Sequence, residues 1–297
     1  MIAVSDLHLR STVPRCRAEN KEEWMEHQYN RLMEMVSCAN RHSLDIYIAG
    51  DTFHYAVNSE DTLRLFVRAF SELNTTVYIM AGNHCLLYRQ QDSGKSTFDI
   101  VKDIAKLSNN IVVERKFNFV PYGYEEVAIQ DANSRTMFIH TLTFEKDEHV
   151  PYGVTHYETG KSLLDKYTDW NTIIVGDQHR AFKYVENGRT VINCGCMTPQ
   201  SVTEKDYPCG FWVYDKSKSD WFQILYQTPA KFVDNSVLQQ ESKRESQVVD
   251  MMKKLSDYEG KSIDFEESLR NELTASNQTG SINGIVIRWI QEAQNEQ

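Results

Sequence analysis

Five short apolar runs rich in β-branched residues each break off into a cluster of aspartate, histidine or asparagine, and this repeated ending constrains the fold most. Met1–Val4 runs into Asp6-Leu7-His8, Ile46–Ala49 into Gly50-Asp51-Thr52-Phe53-His54, and Val77–Ala81 into Gly82-Asn83-His84. Met137–Ile139 ends at His140, and Ile173–Val175 runs into Gly176-Asp177-Gln178-His179. Short continuous apolar runs suit strands buried on both faces. In open α/β sheets the crevice beyond the carboxyl ends of the strands is where ligands bind, so these endings are expected to converge on one place. Glycine before three of the clusters permits a tight inward turn.

Helical periodicity fills the gaps between several of these runs. Met25, Tyr29, Leu32, Met33 and Val36 fall on one face of a helix over Glu22–Ala39. Ser59 reads as an N-cap, with Glu60 and Asp61 in the first turn and Leu63, Phe66, Val67 and Phe70 repeating behind it. Phe98, Val101, Ile104 and Leu107 suggest a third helix. Alternating strands and helices predict a layered α/β fold. From Arg189 to Val233 strands and turns take over, at 190–193, 210–214 and 221–225. Past Phe232 the pattern turns to polar, weakly amphipathic helices at 236–255 and 265–273, then a Gly/Ser/Asn turn and the apolar stretch Ile285–Ile290. The expected organisation is one α/β domain over 1–232 and an acidic, mainly helical extension over 233–297.

Composition narrows the class. With 297 residues, 41% of them hydrophobic, the chain can bury a large core and a smaller appended unit. Mean hydropathy is −0.52, no apolar run reaches the roughly 18–20 residues of a membrane span, and the first residues carry no signal-peptide pattern. A cytoplasmic protein without membrane contact is expected. Cys16, Cys38, Cys85, Cys194, Cys196 and Cys209 read as reduced thiols, not as a disulfide framework or a zinc knuckle. Net charge is −10, and residues 233–297 carry seven basic against twelve acidic side chains, half of that excess. Such a balance counts against simple nucleic-acid binding, although bound cations would reverse the potential at an acidic site.

Imidazoles, carboxylates and an amide oxygen together suit Mn²⁺, Fe or Zn²⁺. A carboxylate can bridge two cations, and paired cations activate water for in-line phosphoryl displacement. In their order and strand-end setting, the five motifs resemble the calcineurin-like metallophosphoesterase superfamily, whose fold is a β-sheet sandwich flanked by helices. The resemblance implies two divalent metals, Mn²⁺ foremost. Asp6, His8, Asp51 and His179 would hold one, and Asp51, Asn83, His140 and Asp177 the other, with Asp51 bridging. It also implies that His84 protonates or stabilises the leaving oxygen. Two positions depart from the family. Asp177 stands where an imidazole is usual, which predicts an altered metal preference, and Cys85 follows Asn-His where an acidic residue often does.

Gly50-Asp51-Thr52-Phe53-His54 lacks the protein-phosphatase pattern and is similar to the SbcD-type DNA-repair nuclease branch, in which the histidine helps position the substrate phosphate or DNA end. His54 thereby becomes a candidate. A softer likeness covers Asn193–Ser201, Thr203-Glu204-Lys205 and Gly210–Tyr214. This branch implies a Mn²⁺-dependent DNA nuclease, DNA as partner, an SbcC-type coiled-coil ATPase subunit, and compatibility with a homodimer. In that branch the segment beyond the catalytic domain caps the DNA and docks the ATPase. A small-molecule phosphodiesterase or phosphatase with the same metals is the alternative, and a non-catalytic scaffold with a decayed site a further one. Ser93-Gly94-Lys95-Ser96 lacks the first glycine of a P-loop and reads as a polar loop. His149 and His156 read as surface residues, and His27 and His42 receive no role.

Overall fold

The period-two alternation of strand side chains decides the layering. The computed structural model describes residues 1–88, 93–113, 118–123 and 135–233. In chain order, β1 (Ile2–Val4), α1 (Lys21–His42), β2 (Ile46–Ile48), α2 (Glu60–Ser71), β3 (Val77–Ile79), α3 (Thr97–Leu107) and β4 (Ile111–Val113) alternate. Then come β5 (Phe119–Val120), β6 (Thr136–His140), the short pair β7 (Thr143–Phe144) and β8 (Glu158–Thr159), and α4 (Gly160–Lys166). Last are β9 (Thr172–Gly176), β10 (Phe182–Glu186), β11 (Arg189–Asn193), β12 (Gly210–Asp215) and β13 (Asp220–Leu225). One sheet has the order β13-β12-β1-β2-β3-β4 and the other β10-β11-β9-β6-β5. Strands β1 to β4 are parallel, as are β5, β6, β9 and β11.

Ile2, Val4, Ile46, Ile48, Val77 and Ile79 face the helices, where they meet Leu32, Val36, Phe66, Phe70 and Val101. The intervening Ala3, Tyr47 and Tyr78 face the second sheet, against Phe119, Phe138, Ile174 and Ile192. Tyr47 stacks on Tyr78 at 4.7 Å and on Phe138 at 4.9 Å, closing the space between the sheets. On the far side, Met137, Ile139, Ile173 and Val175 pack with Leu163 and Leu164 of α4. The result is the expected sandwich of two sheets flanked by helices. No helix of the described residues is long and apolar enough to cross a membrane.

Local chemistry explains the helix starts. Asn20 and Glu23 form a capping box on α1, Ser59 caps α2, and Ser96 with Asp99 does the same for α3. Ser93–Ser96 is thus a polar loop that ends in a cap. None of the six cysteines forms a disulfide. The chain divides into two compact units, Met1–Arg244 and Glu245–Gln297. The second unit, and with it nearly all of the expected 233–297 extension, lies outside the described residues.

Candidate metal centre

The first three strand endings come from one sheet and the last two from the other, and all five meet. Turning the chain inward at these ends puts four candidate ligands in the left-handed region, with φ of 51° at Asp6, 45° at His8, 45° at Asp51 and 102° at Asp177. Non-glycine residues adopt this region rarely, and such strain clusters at functional sites. Gly50 (φ 96°) permits the closest approach, since a Cβ there would stand 2.1 Å from His140 Nδ1. At Gly82 a Cβ would meet Asp51 Oδ1 at 2.2 Å.

The polar atoms form two touching clusters. Ligand atoms of Asp6, His8 and His179 lie within 4.8 Å of one another, as do those of Asp6, Asp51 and His140. His8 Nε2 faces His179 Nε2 at 2.9 Å. Asp51 Oδ2 stands between the clusters, 3.8 Å from His8 Nε2 and 3.5 Å from His140 Nε2. Beside it, His140 Nε2 lies 3.1 Å from Asn83 Oδ1 and 3.8 Å from Asp177 Oδ1. His140 Nδ1–H donates to the Ala49 carbonyl at 2.8 Å, which leaves Nε2 directed at these oxygens. Asp6 accepts from the Asp177 backbone N–H at 3.1 Å and from the Ser5 hydroxyl. All seven expected ligand residues are therefore brought together.

Burial sets the charges. It pushes the Asp6 carboxyl up to about 6, against the pull of His179 and His140. Burial also raises Asp177 and holds the His8 imidazole well below its ordinary value. At Asp51 burial is outweighed by His140 and His8, so its carboxyl stays below the usual carboxylate range. His140 rises to about 10 because Asp51 overcomes its burial, and His179 to about 9 because Glu204 and Asp6 do the same. Two buried carboxylates and the half-buried Asp177 beside imidazoles, with an amide oxygen and two Nε2 atoms face to face, make a donor set of oxygens and borderline nitrogens. Such a set fits a pair of divalent cations.

His84 lies on the open side. Its backbone N–H donates to Asp51 Oδ1 at 2.9 Å, and its Nδ1–H to the His54 carbonyl at 2.7 Å. The His54 ring is 5.3 Å from that of His84 and 5.2 Å from that of His8. Burial, the Arg10 guanidinium and His84 hold the His54 imidazole down at about 3, so it stays neutral. Cys85 is buried in the helix-side core with its thiol pushed up to about 12, so it sets no charge beside His84.

Other residues fall elsewhere. His149 and His156 are exposed, His42 ends α1, and His27 is buried beside Arg17 and Glu19. Sequence reasoning gave Glu204 no role, yet its Oε1 is 2.7 Å from His179 Nδ1. No spacing announces this contact, because the two residues lie on separate loops 25 residues apart.

Residues 1–181 match the family model described as calcineurin-like phosphoesterase. Among solved structures, an archaeal phosphodiesterase is similar at 12% identity and TM-score 0.43, over 76% of this chain and 98% of that one. Vacuolar protein sorting 29 from Cryptosporidium parvum is similar at 14% identity and TM-score 0.34, over 76% and 95%. No curated protein matches the chain.

Proposed function

The chain belongs to the calcineurin-like phosphoesterase family, whose members are metal-dependent hydrolases, and from this premise we propose that it is a Mn²⁺-dependent DNA nuclease of the SbcD-type repair branch. It would act in the cytoplasm with an SbcC-type coiled-coil ATPase. The observation that carries the reading is His54: the imidazole that follows Gly-Asp-x-Phe sits within 5.3 Å of both His84 and His8. A neutral, half-buried imidazole there suits a polyanionic strand, because it can hydrogen-bond a phosphate oxygen without adding to the charge at the centre.

Asp6, His8, Asp51 and His179 would hold one divalent cation, and Asp51, Asn83, His140 and Asp177 the other. When bound, the pair would supply Lewis-acid stabilisation of phosphoryl oxygens and a water of lowered pKa. The protein's own groups do the rest. Asp51 Oδ2 stands between both clusters, and its Oδ1 holds the backbone of His84. With Nδ1–H committed to the His54 carbonyl, His84 has only Nε2 to carry a proton to the leaving oxygen. Asp177 adds a hard oxygen donor where an imidazole is usual, which favours Mn²⁺ over Zn²⁺.

The net charge of −10 favours a second reading, a small-molecule phosphodiesterase with the same metals. One assay separates them: the full chain with Mn²⁺ on labelled DNA and on a chromogenic phosphodiester, with Asp51→Asn and His84→Ala as controls. DNA cleavage lost in both variants supports the nuclease. Small-ester hydrolysis without DNA cleavage, even with the ATPase partner present, overturns it, and inactivity on both substrates points to a non-catalytic scaffold.

A further inference from the structure

We propose that Glu204 is a positioning residue whose carboxylate fixes the His179 imidazole so that Nε2, and not Nδ1, is presented to a divalent cation beside His8. The proposal rests on the metal-centre reading above and names a residue outside its ligand set.

An imidazole has two nitrogens, and the partner of one decides what the other can do. Glu204 Oε1 lies 2.7 Å from His179 Nδ1. An ionised carboxylate only accepts, so Nδ1 carries the proton of this bond and Nε2 is the nitrogen left to a cation. At the opposite edge of the ring, Nε2 is 2.9 Å from His8 Nε2. Both ring nitrogens are therefore committed, one to the carboxylate and one to the centre.

Glu204 is itself held. Its Oε2 accepts from the backbone N–H groups of Gln200 at 2.6 Å and Ser201 at 3.3 Å, at the head of the 3₁₀ turn Val202–Glu204. The loop before that turn is stitched to the two strand ends it serves. Cys196 N–H donates to the His179 carbonyl at 3.0 Å, and Met197 N–H to the Asp6 carbonyl at 3.1 Å. Arg31, from α1, donates to the Met197 carbonyl. With its side chain only 12% exposed, the carboxylate has little room to swing away. Cys196 approaches the same pair, with ligand atoms within 4.8 Å. Nδ1 and Oε1 satisfy each other, so the bond between them orients the ring whatever the thiol does.

The carboxylate cannot be replaced by its amide. A glutamine would turn its NH₂ either toward the Nδ1–H of His179 or toward the two backbone N–H groups, setting donor against donor on one side. Outer carboxylates of this kind contribute roughly 10–100-fold to metal affinity.

The test is calorimetric titration of MnCl₂ into the full chain and its Glu204→Gln variant, with folding checked by circular dichroism. The expected result is two cations in the wild type and a roughly 10–100-fold weakening of one of them in the variant, the other unchanged. Equal affinities in both proteins overturn the proposal while leaving the metal centre intact. A residue with only a structural role would lower the melting temperature and move neither affinity. Should Glu204→Gln fail to fold, ¹⁵N-histidine spectra of the Zn²⁺-loaded wild type decide. A slowly exchanging Nδ1–H on His179 supports the proposal, and a protonated Nε2 overturns it. A wild type that binds no Mn²⁺ would overturn the metal centre, and the proposal with it.

Discussion

His8 Nε2 and His179 Nε2, each from the end of a strand in a different sheet, point at each other across 2.9 Å. Two nitrogen lone pairs cannot share that gap unless a proton or a cation stands between or beside them. Burial holds the His8 imidazole well below its ordinary value, while Glu204 and Asp6 raise that of His179 to about 9.

Mn²⁺ should therefore stabilise the folded chain in proportion to its occupancy. At one hundred times the dissociation constant a single site contributes about 2.7 kcal/mol. Thermal melts over a Mn²⁺ series, reversed with a chelator, check this. A melting temperature indifferent to the metal would count against both clusters.

Replacing Asp177 by histidine restores the donor usual in the family. The Asp177→His variant should keep its fold and shift its preference from Mn²⁺ toward Zn²⁺, because imidazole suits Zn²⁺ better than a carboxylate does. Competition titrations measure the shift, and an unchanged Mn²⁺ to Zn²⁺ ratio would refute it.

Gly50→Ala should damage the site from beneath. A Cβ would sit 2.1 Å from His140 Nδ1, on a residue with φ of 96°. Strain and overpacking together should cost about 2–5 kcal/mol. Displacing a ligand by about 1 Å should lower the rate on the order of a hundredfold. Denaturant unfolding alongside a phosphodiesterase assay tests both, and a wild-type profile in either would be the contrary result.

Phe138→Ala opens the aromatic stack between the sheets. Phe138 is 1% exposed and lies 4.9 Å from both Tyr47 and Phe119. The expected loss is about 3–5 kcal/mol by urea unfolding, with Phe138→Leu losing less.

His27 gives a pH signature distant from the metals. Burial, Arg31 and Arg17 outweigh Glu19 and depress its imidazole from 6.5 to about 3. The unfolded chain thus binds a proton that the folded chain refuses between those values. This contribution is fully present above 6.5 and is lost as pH falls, at up to about 1.4 kcal/mol per unit. His27→Gln should lose stability less steeply than the wild type over that window, as pH-dependent melts would show; parallel curves would refute the assignment.

The sandwich was legible because apolar runs, their glycine endings and a serine cap such as Ser59 are local signals. The convergence of Asp6, His8, Asp51, Asn83, His84, His140, Asp177 and His179 was legible for the same reason. Strand β10 was not, because Phe182–Glu186 is half-exposed and mixes charges with its apolar residues. The two-residue strands β7 and β8 are too short to show any period. Glu204 escaped because its meaning lies in a hydrogen bond between loops, and Arg17 and His27 because their pairing joins a loop to a helix face. Roles ascribed to residues beyond 233 lie outside the described residues.

Asp6, His8, Asp51 and Asn83 ride on one sheet, while His140, Asp177 and His179 ride on the other. Neither half carries a complete set of donors. The centre is therefore a gauge of how the two sheets are seated on each other. A slip of one against the other would change every distance across the His8–His179 and Asp51–His140 pairs at once, before any side chain changed its rotamer.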